Sequence, residues 1–309
     1  MKSRLFILTV ILLSVSSGLY LAHAQQSDEE VRGAFLSTRP KTTNTSAPPR
    51  RRRPPQRSSN TSGTTAKNTS APKNNTADKS TNTTAGNNAF ANTNSAHLPS
   101  QAIGLGYTLF MRDSEGRTVR VEPTHEFHNG DRIRLSMEPN IDGYLYIFDS
   151  EDGAPPQMIY PDPRLDGGEN WIEAHVPMDL PSSAETDERL RWFQFYGNPG
   201  KETIYIVVSR EPLPAVPYGD NLASFCSANK DKCPWRPGAE IWAQIQQASK
   251  ADVKVVASAT FGQPLTDKEQ TATTRGLGLD QSAPQPSVIR MNASTNLPVL
   301  VAVLDLVHK

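Results

Sequence analysis

A long polar tract near the N-terminus sets the main limit on what this chain can fold into. From Thr38 to Ser100 the sequence is almost entirely Thr, Asn, Ser, Pro and Ala with scattered basic residues, and Phe90 is its one aromatic residue. Such a stretch buries too little apolar surface to offset the entropy lost on folding. Residues 25–100 are therefore interpreted as a disordered Thr/Asn/Pro/Arg-rich linker. A β-rich domain is expected over residues 101–309, which are long enough to bury a sizeable core.

Charge is distributed as unevenly as hydrophobicity. The chain carries 32 basic and 32 acidic side chains. Residues 25–100 hold 11 basic and 4 acidic side chains, whereas residues 101–309 hold 19 basic and 28 acidic ones. A basic arm is thus joined to an acidic body, and the two parts attract different partners.

The densest positive charge in the arm is a run of four arginines flanked on each side by two prolines. The run consists of Arg50, Arg51, Arg52 and Arg53. The prolines keep it extended, so it is a candidate contact for anionic surfaces such as lipid head groups or acidic wall polymers. Nucleic acid is a further anionic candidate, although no specific nucleic-acid partner is expected. The alternative is a solvated charge run within a linker.

The first 24 residues have the three parts of a secretory signal peptide. Lys2 and Arg4 give a positive start, residues 5–21 are largely apolar, and residues 22–24 supply a small-x-small cleavage site. An uncleaved membrane anchor is the alternative, although about 17 residues lie at the short limit for a spanning helix. The protein is expected to be periplasmic or secreted, with no membrane span after cleavage.

The two cysteines are interpreted as a structural disulfide. Cys226 and Cys233 are the only cysteines in the chain, and an oxidising compartment would pair them. Closing so short a loop would contribute about 2–3 kcal/mol. Redox pairs favour two intervening residues and metal sites need further ligands, which makes those alternatives less favourable.

Short β-favouring runs, each ended by turn residues, follow residue 101. Strands are expected at 107–111, 118–122, 132–137, 143–148, 157–160, 171–176, 191–195 and 202–209. The runs 143–148 and 202–209 are the most continuously apolar and are expected to be central. This spacing, without a βαβ rhythm, indicates an all-β fold, mainly an antiparallel β-sandwich or barrel with one or two short helices.

The last hundred residues are less regular. Helices are expected at 221–228 and 238–250, and strands at 253–261 and 299–307. The polar stretch 266–296 is expected to be a long loop. The final strand is dense in Val and Leu, so it is expected to pair back into the main sheet. A small second subdomain is the alternative.

Four motifs occur in an order that resembles a known bacterial module. They are NGDRIRL at 129–135, GYLYIF at 143–148, IYP at 159–161 and GKETIYIVVS at 200–209. Together they resemble the domain of unknown function family 4384 over roughly residues 106–213, which leaves 214–309 as a C-terminal extension. The resemblance implies an extracytoplasmic β module, often an accessory part beside other domains, and it brings no catalytic residues.

No metal site or cofactor is predicted. His125 and His128 are three residues apart and point to opposite faces of a strand, which disfavours a metal site that His175 could otherwise complete. The acidic loops 149–152 and 162–169 could bind calcium, but Asp and Gly are also usual turn residues. Phosphate-binding loop, dinucleotide and G-x-S-x-G motifs are absent.

Aromatic side chains are the remaining candidates for ligand contact, because flat rings offer area at low entropic cost. The main candidates are Tyr144, Tyr146, Tyr160 and Trp171, with Trp192 and Tyr196 beside them. Alternation predicts that some of them face the core instead.

The leading functional hypothesis is an exported, non-enzymatic cell-envelope module that binds a partner protein or a wall polymer, with the arm supplying reach. One alternative is an envelope hydrolase that acts on peptidoglycan or peptide through carboxylates that the sequence does not single out. Another is a calcium-stabilised structural domain.

Overall fold

The protein folds as a β-sandwich with helices on its outer faces. The structure, a computed structural model, describes residues 27–41, 101–164 and 166–309. Within these residues, thirteen strands form two sheets and four α-helices pack around them. The all-β, mainly antiparallel sandwich expected from the strand spacing is confirmed.

Sheet A has seven strands, all paired antiparallel. They are β1 (Gly104–Arg112), β2 (Thr118–Val121), β4 (Arg132–Pro139), β8 (Met178–Leu180), β9 (Phe193–Gln194), β11 (Val253–Ala257) and β12 (Val288–Asn292). The order is β11-β12-β1-β4-β8, with β2 added beside β1 and β9 beside β4.

Sheet B has six strands, β3 (Glu126–Phe127), β5 (Gly143–Glu151), β6 (Gln157–Tyr160), β7 (Trp171–Ile172), β10 (Gly200–Ser209) and β13 (Val299–His308). Their order is β3-β13-β10-β5-β6, with β7 added beside β5. The two runs expected to be central, β5 and β10, lie side by side. The final strand pairs with β10 along its whole length, so the prediction that it returns to the main sheet is confirmed.

Strand β5 is buried on both faces, which explains its unbroken apolar sequence. Leu145 and Ile147 face the core between the sheets. Tyr146 and Phe148 face outward into a second core beneath two helices. These helices are α2 (Gly219–Ala228) and α3 (Ala239–Ala248), both expected from the sequence.

The expected disulfide is present between Cys226 and Cys233, whose Cα atoms are 5.6 Å apart. It links the last turn of α2 to the segment that leads to α3. None of the helices in the described ranges is long and apolar enough to cross a bilayer.

Residues 27–36 form a helix, α1, which corrects the assignment of all residues 25–100 to a disordered linker. Val31 and Phe35 lie one helical turn apart and are buried against Ile289 and Met291 of β12. Two apolar residues on one face suffice here because sheet A supplies the other half of the core. The leader and residues 42–100, including the arginine run, lie outside the described residues.

A second correction concerns the stretch 266–296, which is not one long loop. It contains α4 (Asp267–Arg275) and strand β12. Thr266 and Glu269 form a reciprocal capping box at the start of α4, and Gly276 ends it with φ 60°. The helix carries almost no apolar residues, so hydrophobic periodicity could not reveal it.

Candidate functional site

The aromatic residues expected to bind a ligand do not form a common surface. Tyr144, Tyr146 and Tyr160 are buried, which corrects their assignment to a recognition platform. Burial raises the pKa of Tyr146 to about 12. The Leu213 backbone N–H donates to its hydroxyl over 3.0 Å. These side chains therefore have a packing role.

The other aromatic candidates are dispersed. Trp171 is partly buried and meets Tyr144 edge-on, with ring centroids 5.2 Å apart. Trp192 is buried beneath the Arg134 guanidinium, which lies 4.1 Å from its ring centroid. Tyr196 is 82% exposed, alone among the six in being fully on the surface.

Metal ligation finds no support among the candidate histidines and acidic loops. Within the described ranges, no three His, Cys, Asp or Glu side chains are placed to hold a metal ion. His175 is buried in a different environment from the exposed His128.

A groove of about 340 Å³ opens beside strand β13. Sheet A contributes Tyr107 and Arg290, and the loop before β3 contributes Pro123 and Thr124. Strand β13 itself contributes Val303, Leu304, Asp305 and Val307. This volume lies in the range of sites that bury a small ligand or a short peptide segment.

Strand β13 is an edge strand along most of its length. One side pairs with β10 throughout, whereas the other side pairs with β3 only at Val307 and His308. The Lys309 N–H donates to the Phe127 carbonyl of β3. Because backbone groups alternate in direction along a strand, odd-numbered residues of β13 point away from β10. Val303 and Asp305 thus direct their N–H and C=O groups to the groove, where no described residue pairs with them.

Two further contacts agree with this direction. The Asn292 side-chain amide donates to the Val299 carbonyl over 3.0 Å, which closes the far end of the same edge. On β10, the odd-numbered Lys201 accepts a hydrogen bond at its carbonyl from the Asp152 N–H, which follows β5, so the odd-numbered residues of β10 point toward β5 and the even-numbered ones toward β13. The unpaired edge therefore runs between β3 and Asn292.

Arg290 brings to this groove a positive charge that has no ion-pair partner among the described residues. Its guanidinium lies 6.0 Å from the Tyr107 ring centroid, and its buried Nε has no hydrogen-bond partner among the described residues. The nearby Asp305 carboxylate is engaged elsewhere, with Lys201 Nζ at 2.9 Å and the Thr203 hydroxyl at 2.9 Å. The guanidinium therefore remains able to bind an incoming carboxylate.

A second polar site joins the end of α1 to sheet A. Arg39 Nε and Nη2 donate to the two carboxylate oxygens of Glu138, each over 2.7 Å. The same guanidinium donates to the carbonyls of Ala283 at 2.9 Å and Pro284 at 3.0 Å. Arg39 is 2% exposed and Glu138 4%. Burial tends to raise the pKa of Glu138, but hydrogen bonds from Arg39 and His175 hold it below its usual range.

His175 extends this site toward α1. Its Nδ1 lies 2.7 Å from Glu138 Oε1, and its Nε2 lies 2.7 Å from Thr38 Oγ1. A hydroxyl, an imidazole and a carboxylate in line can activate a nucleophile. Here the Thr38 hydroxyl also donates to the Phe35 carbonyl over 2.6 Å, and Arg39 already neutralises Glu138. These contacts fasten chain segments together and account for the burial of His175.

Sequence reasoning missed Arg39, Glu138 and Arg290. Arg39 stands in a tract read as linker, and Glu138 alternates with the core residues of β4, so it reads as solvent-facing. The sequence carried no local signal for the Arg39–Glu138 pair, since the two residues are 99 positions apart.

A comparison with known families matches one segment of the chain, which contributes strands to both sheets. Residues 126–212 match the family described as Domain of unknown function (DUF4384), so the expected resemblance is confirmed over this segment. The match begins at β3 and ends just after β10, and all residues that line the groove lie outside it. No curated protein and no solved structure matches the chain.

Proposed function

We propose that this protein is an exported, non-enzymatic module that captures an extended segment of a partner protein as an added strand on β13. The observation that carries the proposal is the backbone of Val303 and Asp305, which no described residue pairs and which faces a groove lined by Tyr107 and Arg290. Strand addition to an exposed sheet edge is a general mode of peptide recognition, with backbone pairing for affinity and side-chain pockets for specificity.

Backbone pairing supplies the sequence-independent part of the binding energy. Val303 and Asp305 together offer two N–H donors and two carbonyl acceptors to an incoming strand. Each such bond contributes about 0.5–1.5 kcal/mol net. The incoming segment would lie along the line that β3 occupies at Val307 and His308.

Arg290 supplies selectivity for a carboxylate. A charge-assisted bond to a guanidinium is roughly twice as strong as a neutral one. Residues 101–309 hold more acidic than basic side chains, so long-range charge disfavours a strongly acidic partner. The expected ligand is therefore an otherwise neutral or basic extended segment with one acidic residue placed opposite Arg290.

The envelope location is supported by the leader pattern of residues 1–24 and by the disulfide. Disulfides form and persist in oxidising compartments such as the bacterial periplasm.

The role of the arm changes with the docking of α1. Residue 41 follows a segment anchored by Arg39, and the Gln281 N–H donates to the Pro40 carbonyl over 3.0 Å. At the other end, the Gln101 side chain donates to the Asn140 carbonyl over 3.1 Å. The residues on both sides of 42–100 are thus anchored to the same body. We propose that residues 42–100 display the arginine run to an anionic surface, within about 45 Å of Lys41, and do not hold the domain at a distance.

A peptide-display selection on the full mature chain tests strand addition. Val303→Pro removes an N–H that faces the groove and leaves the ladder to β10 intact, whereas Val303→Thr keeps the donor and is the matched control. Selected peptides should bind the wild type and Val303→Thr, and lose binding to Val303→Pro. Arg290→Gln should weaken only peptides with a carboxylate at one fixed position. Peptides that bind Val303→Pro as tightly as the wild type would refute the proposal.

A further inference from the structure

We infer that residues 27–41 are a docking segment, and that its receptor on sheet A also accepts this segment from a second copy of the chain. The inference is independent of the groove at β13. It rests on three observations: a shaped apolar seat for α1, a charged socket for Arg39, and the length of chain between the segment and its receptor.

The apolar seat is shaped around Phe35. Its ring lies against β1 where Gly104 and Gly106 have no side chains. A Cβ atom at Gly104 would come 3.0 Å from Phe35 Cδ2, and one at Gly106 would come 3.1 Å from Phe35 Cζ. Met291 and Ile289 complete the seat. The receptor therefore accommodates an aromatic side chain at this position in particular.

The socket satisfies the Arg39 guanidinium from several directions. Glu138 accepts two hydrogen bonds in parallel, and the carbonyls of Ala283 and Pro284 accept two more. This planar, bidentate arrangement suits arginine and not lysine. All these acceptors belong to the body of the chain and not to the segment, so the body itself provides the binding site for the Arg39 guanidinium.

Backbone and hydroxyl contacts extend the interface on both sides of Arg39. Thr38 meets His175, and the Gln281 side-chain amide donates to the Arg39 carbonyl over 3.2 Å. Upstream, Arg32 Nη2 donates to the Ala257 carbonyl over 3.3 Å. The segment is thus bound as a peptide ligand would be, by an apolar anchor, a charged anchor and backbone contacts.

The chain between the segment and its receptor is long. Fifty-nine residues, 42–100, separate the last described residue of the segment from the start of the body. A chain of that length spans at most about 200 Å, so it does not confine the segment to its own receptor. A linked segment reaches an effective concentration on the order of millimolar, which favours the closed form in dilute solution.

Exchange between copies competes with the closed form where the concentration of the protein itself approaches this effective concentration. Mutual exchange between two copies gives a closed dimer, and one-way exchange gives an open chain of copies. The receptor on sheet A and the groove at β13 are separate, so an exchanged assembly would still present its grooves.

A cleavable full-length chain tests this inference after normal folding. A site-specific protease sequence is inserted between Asn60 and Thr61, the protein is folded, and the site is cut. We expect the N-terminal fragment to remain bound at micromolar concentration. It should then exchange with a labelled synthetic peptide of residues 27–41, which shows that the receptor accepts the segment in trans.

Matched variants separate recognition from non-specific sticking. A labelled peptide carrying Arg39→Lys should bind the emptied receptor at least about tenfold more weakly, because lysine cannot pair bidentately with Glu138. Full-length Arg39→Ala and Glu138→Gln chains, mixed together, should form a heterodimer that neither forms alone. Immediate loss of the fragment on cleavage, or equal binding of the wild-type and Arg39→Lys peptides, would overturn the inference, as would a heterodimer that never forms.

Discussion

Glu202 on β10 lies directly opposite Glu151 on β5, so two carboxylates share one face of sheet B. Burial, together with the charge of Asp149, raises the pKa of Glu202 to about 7. The folded state therefore binds a proton that the unfolded state releases at lower pH, and stability falls as pH rises from about 4.5 to about 7. The partly exposed Glu202 carboxylate therefore lowers the stability of the fold in neutral solution.

Glu202→Gln should consequently stabilise the protein above pH 7 and leave it nearly unchanged at pH 5. Glu202 is partly exposed, so solvent screening limits the gain to below about 1 kcal/mol, or no more than about 2–4 °C in the melting temperature. Thermal melts at pH 5 and pH 8 measure it. The control Glu240→Gln, at an exposed position on α3, should give no gain at pH 8. A gain of equal size at both pH values would contradict the assignment.

Strand positions could be predicted because the apolar pattern reflects burial directly. GYLYIF at 143–148 is apolar on both faces, and it lies between two cores. The same pattern could not say which aromatic side chains would be exposed. Tyr144 and Tyr146 point away from the inner core, and only the packing of α2 and α3 over sheet B buries them.

The two candidate sites depend on pairings that sequence does not encode locally. Arg39 and Glu138 meet because α1 packs against sheet A. The polar composition of the N-terminal region gives no sign of this helix. The free edge at Val303 exists because β3 covers only two residues of β13. Pattern reasoning predicts a strand at 299–307, but it cannot predict which neighbour the strand lacks.

The Arg39–Glu138 pair should be essential to stability because it is fully buried. Arg39→Ala leaves Glu138 without its main partner, and we expect the free energy of unfolding to fall by about 3–5 kcal/mol in urea titrations. The Arg32–Glu29 pair, in which Glu29 is exposed, offers a control, and Glu29→Ala should change stability by less than about 1 kcal/mol.

The same pair makes a pH prediction of opposite sign to that of Glu202. The pKa of Glu138 is lowered in the folded state, so its contribution is present above the ordinary carboxylate pKa and is lost as pH falls through the folded value. Acid titration of the wild type and Glu138→Gln should therefore converge at low pH. Curves that stay parallel down to the acid transition would show that Glu138 is not the group responsible.

Two glycine substitutions should act in opposite directions. At Gly106 an added Cβ would lie 2.5 Å from Pro286 Cγ, so Gly106→Ala should destabilise the protein by about 1–3 kcal/mol. Gly33, within α1, has no atom within 4 Å of an added Cβ, so Gly33→Ala should stabilise by about 0.5–1 kcal/mol. Chemical denaturation of both variants measures the difference. A neutral Gly33→Ala would indicate that α1 contributes little to the folding transition.

The disulfide should stabilise the protein only modestly, because the loop that it closes is short. Seven positions separate Cys226 from Cys233, and replacing both by Ser should lower stability by about 2–3 kcal/mol. Adding a thiol reductant should lower the melting temperature of the wild type and leave that of the double Ser variant unchanged. A wild type insensitive to reductant would argue that the bond adds nothing to stability.

Proline scanning of β13 tests the direction of its backbone before any ligand is known. The Ala302 N–H points to β10 within the ladder, so Ala302→Pro should cost about 3 kcal/mol or more. The Val303 N–H points to the open groove, where a proline removes no ladder bond and should be tolerated far better. Urea unfolding of the two single variants gives the comparison directly. If both prolines destabilise the protein equally, the edge at Val303 is already paired and strand addition there has no free donor to use.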